Sequence, residues 1–375
     1  MSDRAGLYVH LPYCASRCGY CAFVVTTDGS SRASYLEALE AEAALVAPEA
    51  AEAVFDSIYL GGGTPSLLPP VAIARLLSDL RARFAIDSAA EVTLEANPED
   101  VTPLAARAWL GAGVNRVSVG IQSLEDTELS AVGRRHDASR ARAALDVLAG
   151  LSVSVSGDLI LGLPFQTPET FARSLAGLCD SGVSHVSVYL LETKTQAMEE
   201  DRRRHPERYI SEDAQADVWL ETGRTLRARG LEHYEISNWA RPEREALHNV
   251  KYWTREPTLG LGISAHELWN GRRRANVSSL EQYVGELAAG RRPLARDQGL
   301  TRPEVEREEI FLGLRLSRGV AAARIEERVS GSEDSRLRED YSGWLEEGIL
   351  EQAGGRVRFT ERGFLVSNEV LSRFV

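Results

Sequence analysis

The sequence predicts an α/β protein: a partial barrel of six strand–helix units followed by a small winged-helix-like C-terminal module. Three observations predict it. Short β-rich runs alternate with helical stretches over the first two hundred residues. Polar and glycine residues collect at the C-terminal ends of those runs. After about residue 304, two helical stretches lead into a glycine-centred hairpin.

The β-rich runs are LYVHLP (7–12), SIYLGGG (57–63), EVTLEAN (91–97), RVSVGIQ (116–122), SVSGDLILGLP (154–164) and HVSVYLLE (185–192). Between them lie RASYLEALEAEAALV, VAIARLLSDLRARF, TPLAARAWLGAG, SRARAALDVLAG and PETFARSLAGLCDSG, all helical in character. Alternation in this order predicts parallel strands joined by right-handed crossovers. Six units are too few for the usual eight-stranded closed barrel, so an open one is expected. In such sheets ligands gather at the carboxyl ends of the strands. Gly61–Gly63 with Thr64, then Glu95, Asn97 and Gln122, occupy those places, and Asp158 lies within the fifth run. Polar residues there are hard to explain as core packing and predict a ligand-binding mouth. Taken singly each has a plainer reading: Glu95 and Asp158 as structural acids, Gln122 as a backbone clamp, Arg134 as a surface residue, His136 as a helix cap.

Beyond about residue 195 the alternation breaks. EEDRRRHPER (199–208) reads as a solvated charged loop, followed by a helix over roughly 212–229, then YEISNWA, HNVKYW (248–253) and the glycine-rich GLGISAHE (260–267). VEREEIFLGLRL and DSRLREDYSGWLEEG read as helices, and ILEQAGGRVRFTERG as a hairpin around Gly354–Gly355. The expected units are 1–200, the barrel with its cysteine loop; 201–300, an extension carrying HNVKYW and GLGISAHE; and 301–375, the C-terminal module.

With 43 basic and 55 acidic residues the net charge is −12, which argues against a general nucleic-acid binder. Acids also outnumber arginines in the C-terminal module, so its shape does not imply nucleic-acid binding. Lysine occurs only at Lys194 and Lys251, leaving arginine to carry the positive charge. No secretory signal or membrane span is read from the chain, so a cytoplasmic location is expected, with peripheral membrane contact left open.

Cys14, Cys18 and Cys21 fall in one short segment, while Cys179 stands alone in a helical stretch as a small apolar residue. Adjacent thiols would tie only tiny loops as disulfides. The spacing C-x3-C-x2-C suits a loop wrapped around a [4Fe–4S] cluster with one iron left open to a small molecule. A zinc site is the alternative; it needs a fourth ligand, for which His10 is the candidate.

C-x3-C-x2-C with Tyr20 before the last cysteine resembles the radical S-adenosylmethionine superfamily. The resemblance implies a partial barrel, a cluster whose open iron is chelated by S-adenosylmethionine, a reductant donor, and reductive cleavage of that cofactor. YVHLPYC, GGGTPS, GVNRVSVGIQS, GRRH, DLILGLP and YEISNWA extend the likeness along nearly the whole chain. The family they resemble is that of oxygen-independent coproporphyrinogen III oxidase and its HemW relatives. Carried over by motif, the resemblance implies that Tyr8, Tyr20, Ala22, Gly62, Gly63, Thr64, Glu95, Gln122, Arg134 and Asp158 bind the cofactor. Arg134 suits a carboxylate, and the acids suit ribose hydroxyls or an ammonium group.

Three features separate the branches of that family. The oxidases resemble C-x3-C-x2-C-x-C, whereas Phe23 stands here at the last position. The oxidases also carry a longer segment before the first strand. HemW-like proteins show HNxxYW, matched by His248, Asn249, Tyr252 and Trp253. The resemblance therefore implies haem binding and delivery to an acceptor protein, with oxidative decarboxylation of a porphyrinogen as the alternative. Imidazole can ligate haem iron and aromatic rings can stack on a porphyrin. His248 is the candidate ligand and Cys179 a weaker one, with Arg272–Arg274 as partners for propionates. The plainer reading makes Tyr252 and Trp253 core aromatics and His248 a satisfied buried histidine.

Overall fold

Side chains alternate between two environments along each of the first six runs, and that alternation builds the barrel. The computed structural model describes residues 4–192, 195–331 and 335–374; Lys194 lies outside them. The six units are β1 (Arg4–Leu11), α1 (Arg32–Val46), β2 (Val54–Gly62), α2 (Pro70–Arg83), β3 (Ala85–Ala96), α3 (Pro103–Gly111), β4 (Arg116–Gln122), α4 (Asp126–Ala131), α5 (Ala138–Ala149), β5 (Ser154–Leu161), α6 (Pro168–Asp180) and β6 (His185–Leu190). β1 to β6 pair in sequence order and every pairing is parallel. Leu7, Val9, Ile58, Leu60, Val92, Leu94, Val117 and Val119 are buried in the apolar core that the helices cover. The alternate positions, among them Tyr8, Ser57, Tyr59, Glu95, Ser118, Ser156 and Asp158, turn towards the barrel axis and meet across strands.

Closure is prevented at both edges. Downstream come α7 (Gln196–Arg204), α8 (Glu212–Ala228), β7 (Glu232–Glu235), β8 (Asn238–Ala240), α9 (Leu247–Thr254), β9 (Thr258–Leu261), β10 (His266–Trp269), β11 (Arg272–Asn276), α10 (Leu280–Ala288) and β12 (Leu294–Gly299). β8 takes the free edge of β6 antiparallel, and β9 takes the free edge of β1 parallel, extending the sheet to twelve strands. The floor is made by α9. Ala246 at its N-cap has no capping side chain, and the Glu91 carboxylate of β3 accepts from Leu247 N and His248 N instead, at 3.3 and 3.2 Å.

Residues 199–208 are a correction to the sequence reading: most of them lie in α7, not in a loop. Thr195 caps that helix by accepting from Met198 N, and Arg202–Arg204 fall in its last turn, where basic charge complements the helix dipole. His136 is not a cap either. Asp137 caps α5, while His136 bonds the Ile121 carbonyl at 3.1 Å and lies 3.4 Å from Glu99. The C-terminal part comprises α11 (Arg302–Gly313), β13 (Val320–Ala321), α12 (Ala322–Ser330), α13 (Ser335–Glu346), β14 (Leu350–Ala353), β15 (Arg356–Phe359), α14 (Glu361–Leu365) and α15 (Ser367–Ser372). The hairpin turns at Gly354–Gly355 as read from the sequence, and β13 adds to it on the β15 side.

Candidate functional site

The cysteine loop leaves β1 at the C-terminal mouth of the barrel and is stitched to the glycine segment that ends β2. Cys14 N donates to Thr26 O at 2.9 Å and Thr26 N to Pro12 O at 2.8 Å, which closes the base of the loop. Gly63 N donates to Leu11 O and Thr64 N to Tyr13 O, both at 2.8 Å. This crossing requires glycine: a Cβ on Gly63 would lie 2.7 Å from the Pro12 carbonyl carbon, and Gly62 has φ +110° with the His10 ring against it. At its far end the loop is held by Gly19, whose N–H reaches Val132 O at 3.1 Å and whose carbonyl accepts from Thr195 Oγ1 at 2.5 Å.

Around the thiols runs a chain of polar contacts. Thr64 Oγ1 donates to Cys14 Sγ at 3.4 Å, and Asn97 Nδ2 donates to Thr64 Oγ1 at 3.3 Å. Arg134 Nη2 donates to Asn97 Oδ1 at 2.7 Å and to Gly120 O at 2.8 Å, while its Nη1 reaches Cys18 Sγ at 3.6 Å and Tyr20 Oη at 3.4 Å. Arg134 is thus a mouth residue and not a surface one. Asn97, noted in the sequence only as a strand end, is the link between Thr64 and Arg134. Cys14, Cys18 and Cys21 are all free and partly exposed. Burial pushes the Cys14 thiol up, against the Thr64 hydrogen bond, so a positive centre is needed to hold it as thiolate.

Three thiols on one loop are the donor chemistry that an iron–sulfur cluster takes. Neutral or cationic donors already point at two of them. Among the described residues no three His, Cys, Asp or Glu side chains converge closely enough for a single ion. His10, the zinc alternative's fourth ligand, is buried with both ring nitrogens engaged, Nδ1 with Tyr8 Oη and Nε2 with Val24 O, each at 3.0 Å.

Below the mouth, two carboxyls sit inside the barrel. Glu95 accepts from Tyr59 Oη at 2.8 Å and Gly62 N at 3.0 Å, and burial raises its pKa to about 7. Asp158 accepts from Ser118 Oγ at 3.0 Å and Ser156 Oγ at 3.3 Å; burial raises it too. Asp158 therefore lies within the barrel and not on its rim. The serines around it, Ser118 on β4 and Ser156 on β5, carried no signal in the sequence. Gln122 ends β4 in the left-handed region, φ +65°, a conformation that side-chain residues adopt at a cost. Ala22 is exposed, and Phe23 beside it is 69% exposed.

The structure separates HNVKYW from the mouth. His248 is fully buried in the floor, with Nδ1 3.0 Å from Ser57 Oγ and Nε2 2.9 Å from Tyr252 Oη. Burial, then the neighbouring Lys251 charge, lower its pKa to about 3. In this arrangement both imidazole nitrogens are engaged, as the plainer reading of a satisfied buried histidine has it. Trp253 stacks under the Arg315 guanidinium at 4.4 Å, and Asn249 is partly buried on the same helix. Arg272–Arg274 are paired with Asp297, Glu308, Glu49 and Glu267. Cys179 is partly buried near the end of α6, its thiol raised by burial.

Comparison with known proteins agrees with this geometry. Residues 8–176 match the Radical SAM superfamily, and residues 300–366 match the HemN C-terminal domain. The chain is 34% identical over 372 residues to the haem chaperone HemW of Mycobacterium tuberculosis, covering 98% of this chain and 93% of that one. To the haem chaperone HemW of Bacillus subtilis it is 30% identical over 376 residues, covering 98% of each. The crystal structure of the Escherichia coli coproporphyrinogen III oxidase HemN, described as a radical SAM enzyme, superposes with a TM-score of 0.85 at 25% identity, over 99% of this chain and 89% of that one.

Proposed function

Because the chain belongs to the radical S-adenosylmethionine superfamily and, within it, to the HemW family, we propose that it is a haem chaperone. It binds haem and transfers it to an acceptor protein. The observation that carries the reading is full-length similarity to curated haem chaperones, joined to a cysteine loop with Phe23 after its third thiol. Cys14, Cys18 and Cys21 would ligate a [4Fe–4S] cluster, leaving one iron for S-adenosylmethionine. When bound, that pair supplies one-electron chemistry driven by an external reductant.

The chain's own residues support the binding. Thr64 and Arg134 donate to cluster thiols and so favour their anionic form. Arg134 offers a cationic fork for a carboxylate, with Tyr8, Tyr20, Ala22, Gly62, Gly63 and Gln122 as further contacts. Glu95 and Asp158 offer acceptors for hydroxyls or an ammonium group. The exposed Phe23 adds apolar surface beside the cluster loop, suited to a porphyrin face. His248, Asn249, Tyr252 and Trp253 can serve haem only if α9 leaves the floor and frees the imidazole. Among the described residues no helix is long and apolar enough to cross a membrane.

Anaerobic reconstitution with iron, sulfide, a reductant and S-adenosylmethionine tests the reading against the oxidase alternative, which the HemN likeness keeps in view. Stoichiometric haem binding with coproporphyrinogen III left unconverted is the expected result. Multiple-turnover formation of protoporphyrinogen would remove the chaperone reading. A haem titration of His248→Ala beside wild type decides the role of α9: an unchanged Soret band and affinity take His248 off the list of ligands.

A further inference from the structure

A continuous line of neutral hydrogen-bonding groups crosses the barrel from its floor to Asp158. It begins at Tyr234 on β7, which lines a crevice of about 1220 Å³ formed at the N-terminal ends of β3 to β6, on the side away from the cysteine loop. Tyr234 Oη lies 2.8 Å from His185 Nε2. His185 Nδ1 lies 2.7 Å from Ser156 Oγ, and Ser156 Oγ lies 3.3 Å from Asp158 Oδ1. His185 and Ser156 are buried. We infer that Tyr234, His185 and Ser156 form a proton relay between the crevice and Asp158, in which His185 changes tautomer whenever Asp158 gains or loses its proton.

The coupling follows from the donor count when protonated Asp158 donates to Ser156 and not to Ser118 or Ser187, its other hydroxyl neighbours. Ser156 has one hydroxyl proton and neutral His185 one ring proton. When Asp158 is ionised, Ser156 donates to it and accepts from His185 Nδ1–H, so Nε2 accepts from the Tyr234 hydroxyl. When Asp158 is protonated, it donates to Ser156, Ser156 donates to Nδ1, and Nε2–H donates to the tyrosine oxygen. Passage between the two balances. The Asp158 proton moves to Ser156 Oγ, the serine proton to Nδ1, the Nε2 proton to Tyr234, and the tyrosine proton to water in the crevice. Uptake reverses each step and restores the first tautomer.

The surroundings keep the line neutral. Burial, then the Arg116 charge, hold His185 far below the usual imidazole range, so it passes protons without becoming imidazolium. Facing Asp158 are Ser118 and Arg116 from β4, Ser156 from its own strand and Ser187 and Tyr189 from β6, with Glu95 from β3 and Tyr59 from β2 beyond. The use of the relay rests on the proposed cofactor site. With cluster and S-adenosylmethionine across the mouth, Asp158 exchanges protons with solvent through the floor.

The test is nitrogen NMR of the full-length chain carrying ring-labelled histidine, recorded across the pH range in which the fold persists. His185 is assigned by the signal lost in His185→Phe. The expected result is one switch from the Nε2–H to the Nδ1–H form as pH rises, with the same midpoint as the Asp158 carboxyl carbon. Ser156→Ala and Asp158→Asn should each lock one tautomer, and Ser156→Thr, which keeps the hydroxyl, should restore switching. A single wild-type tautomer throughout, or a switch that survives Ser156→Ala, overturns the relay. S-adenosylmethionine titration of the reconstituted protein separates the two readings, since failure to bind with switching intact removes the cofactor site alone.

Discussion

His248 and Lys251 sit about one turn apart on α9, both buried, one among neutral hydroxyls and the other between carboxylates. Lys251 is paired, with Asp56 2.9 Å and Glu256 2.7 Å from Nζ. Lys251→Met would take away the nearer cation of buried Asp56 and leave Arg4 at 3.8 Å, and chemical denaturation should show a loss of up to about 3–5 kcal/mol. His248 gives up its charge, with a folded pKa of about 3, below the unfolded value of about 6.5. Its neutral form then contributes fully above pH 6.5, and the contribution is lost as pH falls towards 3. Urea midpoints measured down this range should fall less steeply in His248→Gln, by an amount on the order of a few kcal/mol. HNVKYW was legible as a special segment, but residue types alone could not say which way the imidazole faces. That depends on Ser57, 191 positions away in the chain.

At the scale of elements, the cysteine loop and the GGGT segment form one unit although α1 and most of β2 lie between them in sequence. Parallel pairing of β1 with β2 brings Leu11 opposite Gly62, so the segments leaving both strands must run side by side. Gly63→Ala places a methyl group against the Pro12 backbone; overpacking of this kind costs about 1–3 kcal/mol. The expected signs are a lowered melting temperature and poorer iron retention after reconstitution, read by iron content and by absorbance. The six barrel strands and eight of the helices, α1 to α3, α5, α6, α8, α11 and α13, were legible because each follows a local period. α7 was not, since a run of like charges resembles solvent-exposed loop until the Thr195 cap and the helix dipole are taken together. α4, α9, α10, α12, α14 and α15 were not read; each has nine residues or fewer, too few turns to set a period apart from its surroundings.

On the scale of the whole molecule, the C-terminal part is fastened to the barrel along its floor. Glu308 on α11 accepts from Arg255, just after α9, at 2.7 Å and from Arg273 on β11 at 2.9 and 3.0 Å. Backbone bonds add to this, Ile236 N to Arg315 O at 3.1 Å and Ser317 N to Tyr234 O at 2.9 Å. Glu308→Ala strands two arginines at the junction and should cost roughly 1–3 kcal/mol, since hydrogen bonds to charged groups are the stronger kind. Urea unfolding followed by near-UV signal should also broaden, as barrel and C-terminal part lose coupling. The fastening joins the crevice at Tyr234 to residues 315–317, so the relay's outlet lies beside the junction.

The sequence by itself determined the parallel partial barrel, the three-thiol loop, the strand-end residues around it and the C-terminal hairpin. Each is written in local period, spacing or turn chemistry, which a linear reading can follow. Only the tertiary structure decided that Asn97 joins Thr64 to Arg134, that His248 is enclosed in the floor, that Arg272–Arg274 are already paired, and that Tyr234 is in line with Asp158. Those facts depend on which side chains parallel register and the added edge strands bring together. A polar residue inside a barrel acquires its partner from another strand, and no local pattern records that choice.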